Sequence, residues 1–154
     1  MSVSEQPLQP AGGRKVGTAG QHLLAEYQGC TRSVLDDVEQ IRRALRRAAT
    51  AAGATVVAEV LQPFAPEGVS GVVVIEESHL SVHTWPDQGY AAVDFYTCGE
   101  CLPERAYQVL FEALGAERAE LLIVHRGLLS SEASLRVDEH RADSVGTPLR
   151  RIAR

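Results

Sequence analysis

Residues 71–76 form a Val/Ile-rich run that leads directly into Ser78–Trp85, and a further extended stretch, 90–97, follows the turn Pro86-Asp87-Gln88-Gly89. Stretches joined by so few residues can only lie antiparallel, because a parallel return needs a crossover of about a dozen residues or more. A sheet built on this segment is therefore the frame that the rest of the chain must fit. Further strands are predicted at 21–27, 54–62 and 120–125. A helix over 33–52 carries Val34, Val38, Ile41 and Leu45 on one face, with Ser33 able to cap it, Asp36 and Asp37 suited to its positive end, and Gly53 to end it. A second helix over 103–115 starts at Pro103, a residue suited to a first helical position, and buries Ala106, Val109, Leu110, Ala113 and Leu114. The loop 63–68, with two prolines and a glycine, breaks regular structure.

This pattern predicts an α+β fold, a two-layer sandwich of an about four-stranded, mainly antiparallel sheet with two helices on one face. The other face is left uncovered, and dimerisation is a natural way to cover it. Residues 1–19 read as a flexible leader, 20–128 as the single domain, and 129–154 as a weakly ordered tail. No apolar run approaches the 18 or so residues that a membrane span needs, and the N-terminus lacks an apolar signal core, so a cytoplasmic protein is expected. The formal charge of −5 speaks against a nucleic-acid partner. Three cysteines, an odd number, suit reduced thiols.

The reactive side chains gather in Glu76-Glu77-Ser78-His79-Leu80-Ser81-Val82-His83-Thr84-Trp85 and in Cys98 beyond the next strand. In extended chain, His79, Ser81, His83 and Trp85 share one face. That discounts a helical His79/His83 metal pair, and no carboxylate or cysteine stands at a recognised metal spacing, so no metal is expected. Cys98-Gly99-Glu100-Cys101 has the C-x-x-C spacing of redox proteins, but a single such pair is a weak signal, and two cysteines sharing one turn is the plainer reading. No G-x-S-x-G elbow surrounds Ser78, which speaks against an α/β-hydrolase. Residue chemistry by itself also leaves open a binding domain with a His/Ser-rich strand. Lysine occurs once, at Lys15 in the leader, a poor place to hold pyridoxal phosphate.

Gly68-Val69-Ser70-Gly71-Val72-Val73-Val74-Ile75, Glu77-Ser78-His79-Leu80, His83-Thr84-Trp85-Pro86 and Thr97-Cys98-Gly99 resemble, in order and spacing, the prokaryotic S-adenosylmethionine decarboxylases. The likeness extends back to Gly20 and His22-Leu23-Leu24-Ala25-Glu26 and covers about residues 20–127. It implies a self-cleaving proenzyme of polyamine and spermidine biosynthesis, cut between Glu77 and Ser78 into a β chain, 1–77, and an α chain, 78–154. Ser78 would become a covalent pyruvoyl group, which forms a Schiff base with the substrate amine and replaces pyridoxal phosphate. His83 would accept the Ser78 proton during cleavage, assisted by Ser70, and Cys98 would donate a proton in turnover. Phe64 and Trp85 would lie against the substrate's adenine. The cleaved protomers would form a homodimer.

Where the family usually has Glu after His-Thr-Trp-Pro, this chain has Asp87, whose carboxylate reaches less far toward ribose hydroxyls. Some relatives on this scaffold look to have turned to L-ornithine or L-arginine, making putrescine or agmatine. Asp87, Glu67 and Glu100 are candidates to attract the distal cation of such substrates. A non-processing regulatory or binding homologue is a third possibility. Cys101 has no role that the resemblance assigns, and Cys30 is expected at a strand end.

Overall fold

The structure, a computed structural model, describes residues 17–129, 132–133, 135–142 and 150–151. Of the leader expected at 1–19, residues 1–16 lie outside the described residues. The elements in chain order are β1 (Gly20–Gln28), α1 (Arg32–Leu35), α2 (Val38–Ala51), β2 (Val56–Pro63), β3 (Val69–Ile75), β4 (Ser78–Trp85), β5 (Tyr90–Cys98), α3 (Pro103–Ala113) and β6 (Arg118–Arg126). After these come β7 (Leu128–Leu129), β8 (Glu132–Ala133), β9 (Arg136–Ala142) and β10 (Arg150–Arg151).

One sheet takes up every strand except the small β7–β8 ribbon, in the order β10-β9-β6-β1-β5-β4-β3-β2, with each neighbouring pair antiparallel. It has eight strands rather than about four. All six extended runs of the sequence enter it, and β9 and β10 then extend it past β6. The described part of 129–154, expected as a weakly ordered tail, thus includes a strand that pairs with β6 from Ala119↔Ala142 to His125↔Arg136.

α2 and α3 pack against each other and cover one sheet face. Ile41 and Leu45 of α2 and Leu110 of α3 are almost fully buried against Leu23, Tyr27, Val73, Leu80 and Phe95 from the strands. Val34 and Val38 are only partly buried at the edge of this core. The helix expected over 33–52 is two helices. Ser33 does not cap; the Asp37 carboxylate accepts from the N–H groups of Glu39 and Gln40 and starts α2 afresh. Asp36 instead accepts the Gly68 N–H at 2.9 Å.

Gly68 has φ +108, and a Cβ there would stand 2.8 Å from the Thr84 carbonyl oxygen, so the entry to β3 requires glycine. Thr84 itself is buried. Its hydroxyl accepts the Val69 N–H at 2.8 Å and donates to the Leu35 carbonyl at 2.7 Å, joining β3, β4 and α1 at one point. Among the described residues no helix is long and apolar enough to cross a membrane.

Thr84→Val keeps the shape but leaves the buried Val69 N–H and Leu35 carbonyl without this partner. It should cost about 1–3 kcal/mol, read as a lower urea midpoint with unchanged slope.

Candidate active site

β3 and β4 form a hairpin whose first pair is Ile75↔Ser78, so Glu76 and Glu77 alone make the turn. Ser78 has φ 148, the one described non-glycine residue with positive φ. That region is essentially reserved for glycine and costs on the order of 1–3 kcal/mol for other residues. The strain sits at the Glu77–Ser78 bond. The Glu77 carbonyl oxygen accepts from the Cys98 N–H at 3.0 Å and from the Cys98 thiol at 3.1 Å. Ser78 Oγ lies 3.4 Å from the same sulfur. A nucleophilic hydroxyl thus stands beside the carbonyl that precedes it, with two donors already aimed at the oxygen that would gain negative charge. Cys101 is half-buried nearby. Burial first, then the neighbouring Glu77 and Cys98, raises its thiol above the ordinary range. Burial pushes Cys30 up to about 12, an inert core thiol.

A second group forms at the far end of β4. Ser70 Oγ and His83 Nδ1 share a 2.6 Å hydrogen bond across the β3–β4 pair Ser70↔His83. The Trp85 ring lies 6.5 Å from that of His83 and stacks on Tyr90 at 5.1 Å. Trp85 is 45% exposed and Phe64 54%. Asp87 lies exposed in the short turn after β4, accepting from the Gln88 amide at 3.0 Å. Glu67 is already engaged: the Arg32 guanidinium grips its carboxylate at 3.0–3.2 Å. Glu100 is exposed beyond β5.

The fold therefore pairs Ser78 with Cys98 and Ser70 with His83, but keeps the two pairs apart. Five residue steps along an extended strand separate Ser78 from His83, roughly 17 Å. Within one chain His83 does not reach the Ser78 hydroxyl.

Sequence reasoning missed a third group, between these two on the outer face. Asp94 Oδ2 accepts from His22 Nε2 at 2.7 Å and from His79 Nε2 at 2.8 Å, and Ser81 Oγ donates to Oδ1. Burial raises the Asp94 carboxyl, but donation from Ser81, His79 and His22 outweighs it and holds the group below its usual range. Arg126 donates to His22 Nδ1 at 3.2 Å and lies over the Tyr96 ring at 4.3 Å. The one signal in the sequence is a charged residue inside the otherwise apolar and aromatic stretch Tyr90-Ala-Ala-Val-Asp94-Phe-Tyr96. The ligand atoms of His22, His79 and Asp94 lie within 4.8 Å of one another, a metal-sized grouping that no sequence spacing announces.

A family model described as S-adenosylmethionine decarboxylase matches residues 21–127. The S-adenosylmethionine decarboxylase proenzyme of Thermotoga maritima is 50% identical over 130 residues, 84% of this chain and 90% of that protein. The proenzyme of the same name from Caldanaerobacter subterraneus subsp. tengcongensis is 48% identical over 110 residues, 71% of this chain and 89% of that protein. The crystal structure of the adenosylmethionine decarboxylase from Aquifex aeolicus superposes with a TM-score of 0.67 at 36% identity, covering 77% of this chain and 98% of that one.

Ser78→Gly and Ser78→Ala both lack the hydroxyl, so they isolate the backbone strain. Unfolding of the two whole chains should find the glycine variant more stable by about 1–3 kcal/mol.

Proposed function

The chain belongs to the S-adenosylmethionine decarboxylase family, and from that membership we propose that it is a self-cleaving proenzyme that decarboxylates S-adenosylmethionine. The observation that carries this reading is the strained Ser78 beside a Glu77 carbonyl already held by Cys98. Ser78 Oγ attacks the Glu77 carbonyl carbon, the Cys98 N–H and thiol stabilise the oxyanion, and collapse moves the acyl group from nitrogen to oxygen. Elimination then releases a chain ending at Glu77 and leaves dehydroalanine at 78, which takes up water and loses ammonia. The residues fit the pyruvoyl group so formed: it grows from Ser78 itself and needs no lysine. Its carbonyl supplies the electron sink for loss of CO₂ from an α-amino acid. Cys98 returns a proton in turnover, a role that its 3.4 Å distance from Ser78 Oγ supports. Its contact with Glu77 gives it a share in cleavage too, which the sequence reading did not assign.

Cleavage also needs a base, and the separation of Ser78 from His83 supports a site shared between two copies. The outer sheet face carries exposed Leu24, Val74 and Trp85, an apolar surface for a second copy to cover. If the two outer faces meet with their β4 strands antiparallel, the Ser78–Cys98 end of one copy faces the partner's Ser70–His83 end. His83 then accepts the Ser78 proton across the interface, its imidazole set by Ser70. Trp85 and Phe64 carry exposed rings suited to stack on adenine and to face a sulfonium. Asp87 is the acid available for the ribose hydroxyls. The relatives described above are all named for S-adenosylmethionine, and ornithine or arginine as substrate finds no support in them.

Purified protein should run as two fragments on a denaturing gel and release CO₂ from S-adenosylmethionine but not from L-ornithine or L-arginine. Ser78→Ala should stay whole and inactive; a cut, active variant would sink the mechanism.

Co-expression of Ser78→Ala chains with His83→Ala chains tests the shared site. Each alone should remain uncut, whereas mixed dimers combine one intact Ser78 with one intact His83 and should cut the His83→Ala chain. Failure to complement would place both residues in one chain's site.

A further inference from the structure

Asp94 stands in the middle of the outer face with donors from two neighbouring strands. His22 comes from β1, His79 and Ser81 from β4, and β5, which carries Asp94, lies between them. The proton positions follow from Arg126. A guanidinium donates and never accepts, so His22 Nδ1 must offer its lone pair, and the ring proton is on Nε2, aimed at Asp94. A metal ion at that spot would need the Nε2 lone pair as well, and a neutral ring cannot supply both. The group is a closed hydrogen-bond node, not a vacant ligand set. It is joined to the reacting centre through His79, which follows Ser78 directly.

Cutting the Glu77–Ser78 bond turns the first residue of β4 into a chain end, and strand ends fray unless tied. Beyond the backbone ladder, the first tie behind that end is the His79 ring, held at 2.8 Å by Asp94. Asp94 is in turn fixed by His22 from one side and Ser81 from the other. We infer that Asp94 is a positioning residue: acting through His79, it keeps the reactive terminus at residue 78 beside the Cys98 thiol. The inference rests on the cleavage proposed above.

The role has a chemical signature. If the terminus drifts from Cys98 after CO₂ has left, the incoming proton adds to the carbon of residue 78 instead of the substrate's α-carbon. Water then releases the substrate as an aldehyde, and its nitrogen stays behind, turning residue 78 into alanine. An alanine terminus is open to stepwise N-terminal sequencing, whereas a pyruvoyl terminus is blocked.

The experiment compares cut wild type and Asp94→Ala during turnover of S-adenosylmethionine. The variant should lose kcat by roughly 10- to 100-fold, the scale of a misplaced reacting atom, with KM changed far less, and should accumulate sequenceable alanine. Asp94→Asn keeps an oxygen for both imidazole N–H groups and can donate to Ser81, so it should restore most of the rate and the blocked terminus. If Asp94→Ala does not accumulate as cut protein, His79→Ala, which removes the arm next to the terminus, should give the same two signs. A cut Asp94→Ala enzyme with a lower melting temperature but wild-type kcat and a blocked terminus would overturn the role. So would a stoichiometric divalent metal on wild type that the variant loses. A wild-type chain that stays whole would overturn the cleavage itself, an outcome the gel separates from the other two.

Discussion

The register between β4 and β5 is the constraint on which the rest of this molecule hangs. It sets Ser78 opposite Thr97, so that the Glu77 carbonyl meets Cys98, and it sets Ser81 opposite Asp94. Because side chains alternate, a slip of one residue would turn His79, Ser81 and His83 into the apolar layer beneath the helices and bring Leu80 and Val82 out to water. Burial of Leu80 and Val82 against the helix layer opposes that slip. The apolar core therefore sets the geometry of the polar face without contributing a single reactive atom to it.

The same alternation explains what the sequence makes legible. β3, β4, β5 and the turn between β4 and β5 follow from β-branched runs and a Pro/Gly pair. So do the apolar face of α2, with Ile41 and Leu45, and the start of α3 at Pro103. Ser78 and Cys98 lie twenty positions apart in the chain, and the family's motif order is what pairs them before any fold is known. The separation of Ser78 from His83 is also present in the sequence, since an extended stretch cannot fold His83 back onto Ser78. With His83 as the base proposed above, that separation calls for a second copy.

What stays hidden is long-range or backbone-made. β9 reads Arg-Val-Asp-Glu-His-Arg-Ala, without apolar alternation, and is a strand because the open edge of β6 offers unpaired N–H and C=O groups. At the split between α1 and α2, Asp37 caps the second helix while Asp36 and Leu35 just before it are bonded to Gly68 and Thr84, partners far along the chain. The Asp94 node joins residues up to 104 positions apart through Arg126 and His22, and only the strand order β6-β1-β5-β4 brings them to one spot.

That strand order has a consequence for the cleavage proposed above. β1 belongs to the first fragment, yet it lies between β5 and β6 of the second, while β3 of the first remains zipped to β4. The fragments interlock like the fingers of two hands, and neither can leave without breaking ladders on both flanks of β1. Severing the backbone would leave those ladders in place, but it would change the molecule's relation to the unfolded state. Before the cut, unfolding is an affair of one chain and indifferent to dilution. Afterwards two pieces must find each other, so the same fold acquires a stability that depends on concentration and a route back that is second order.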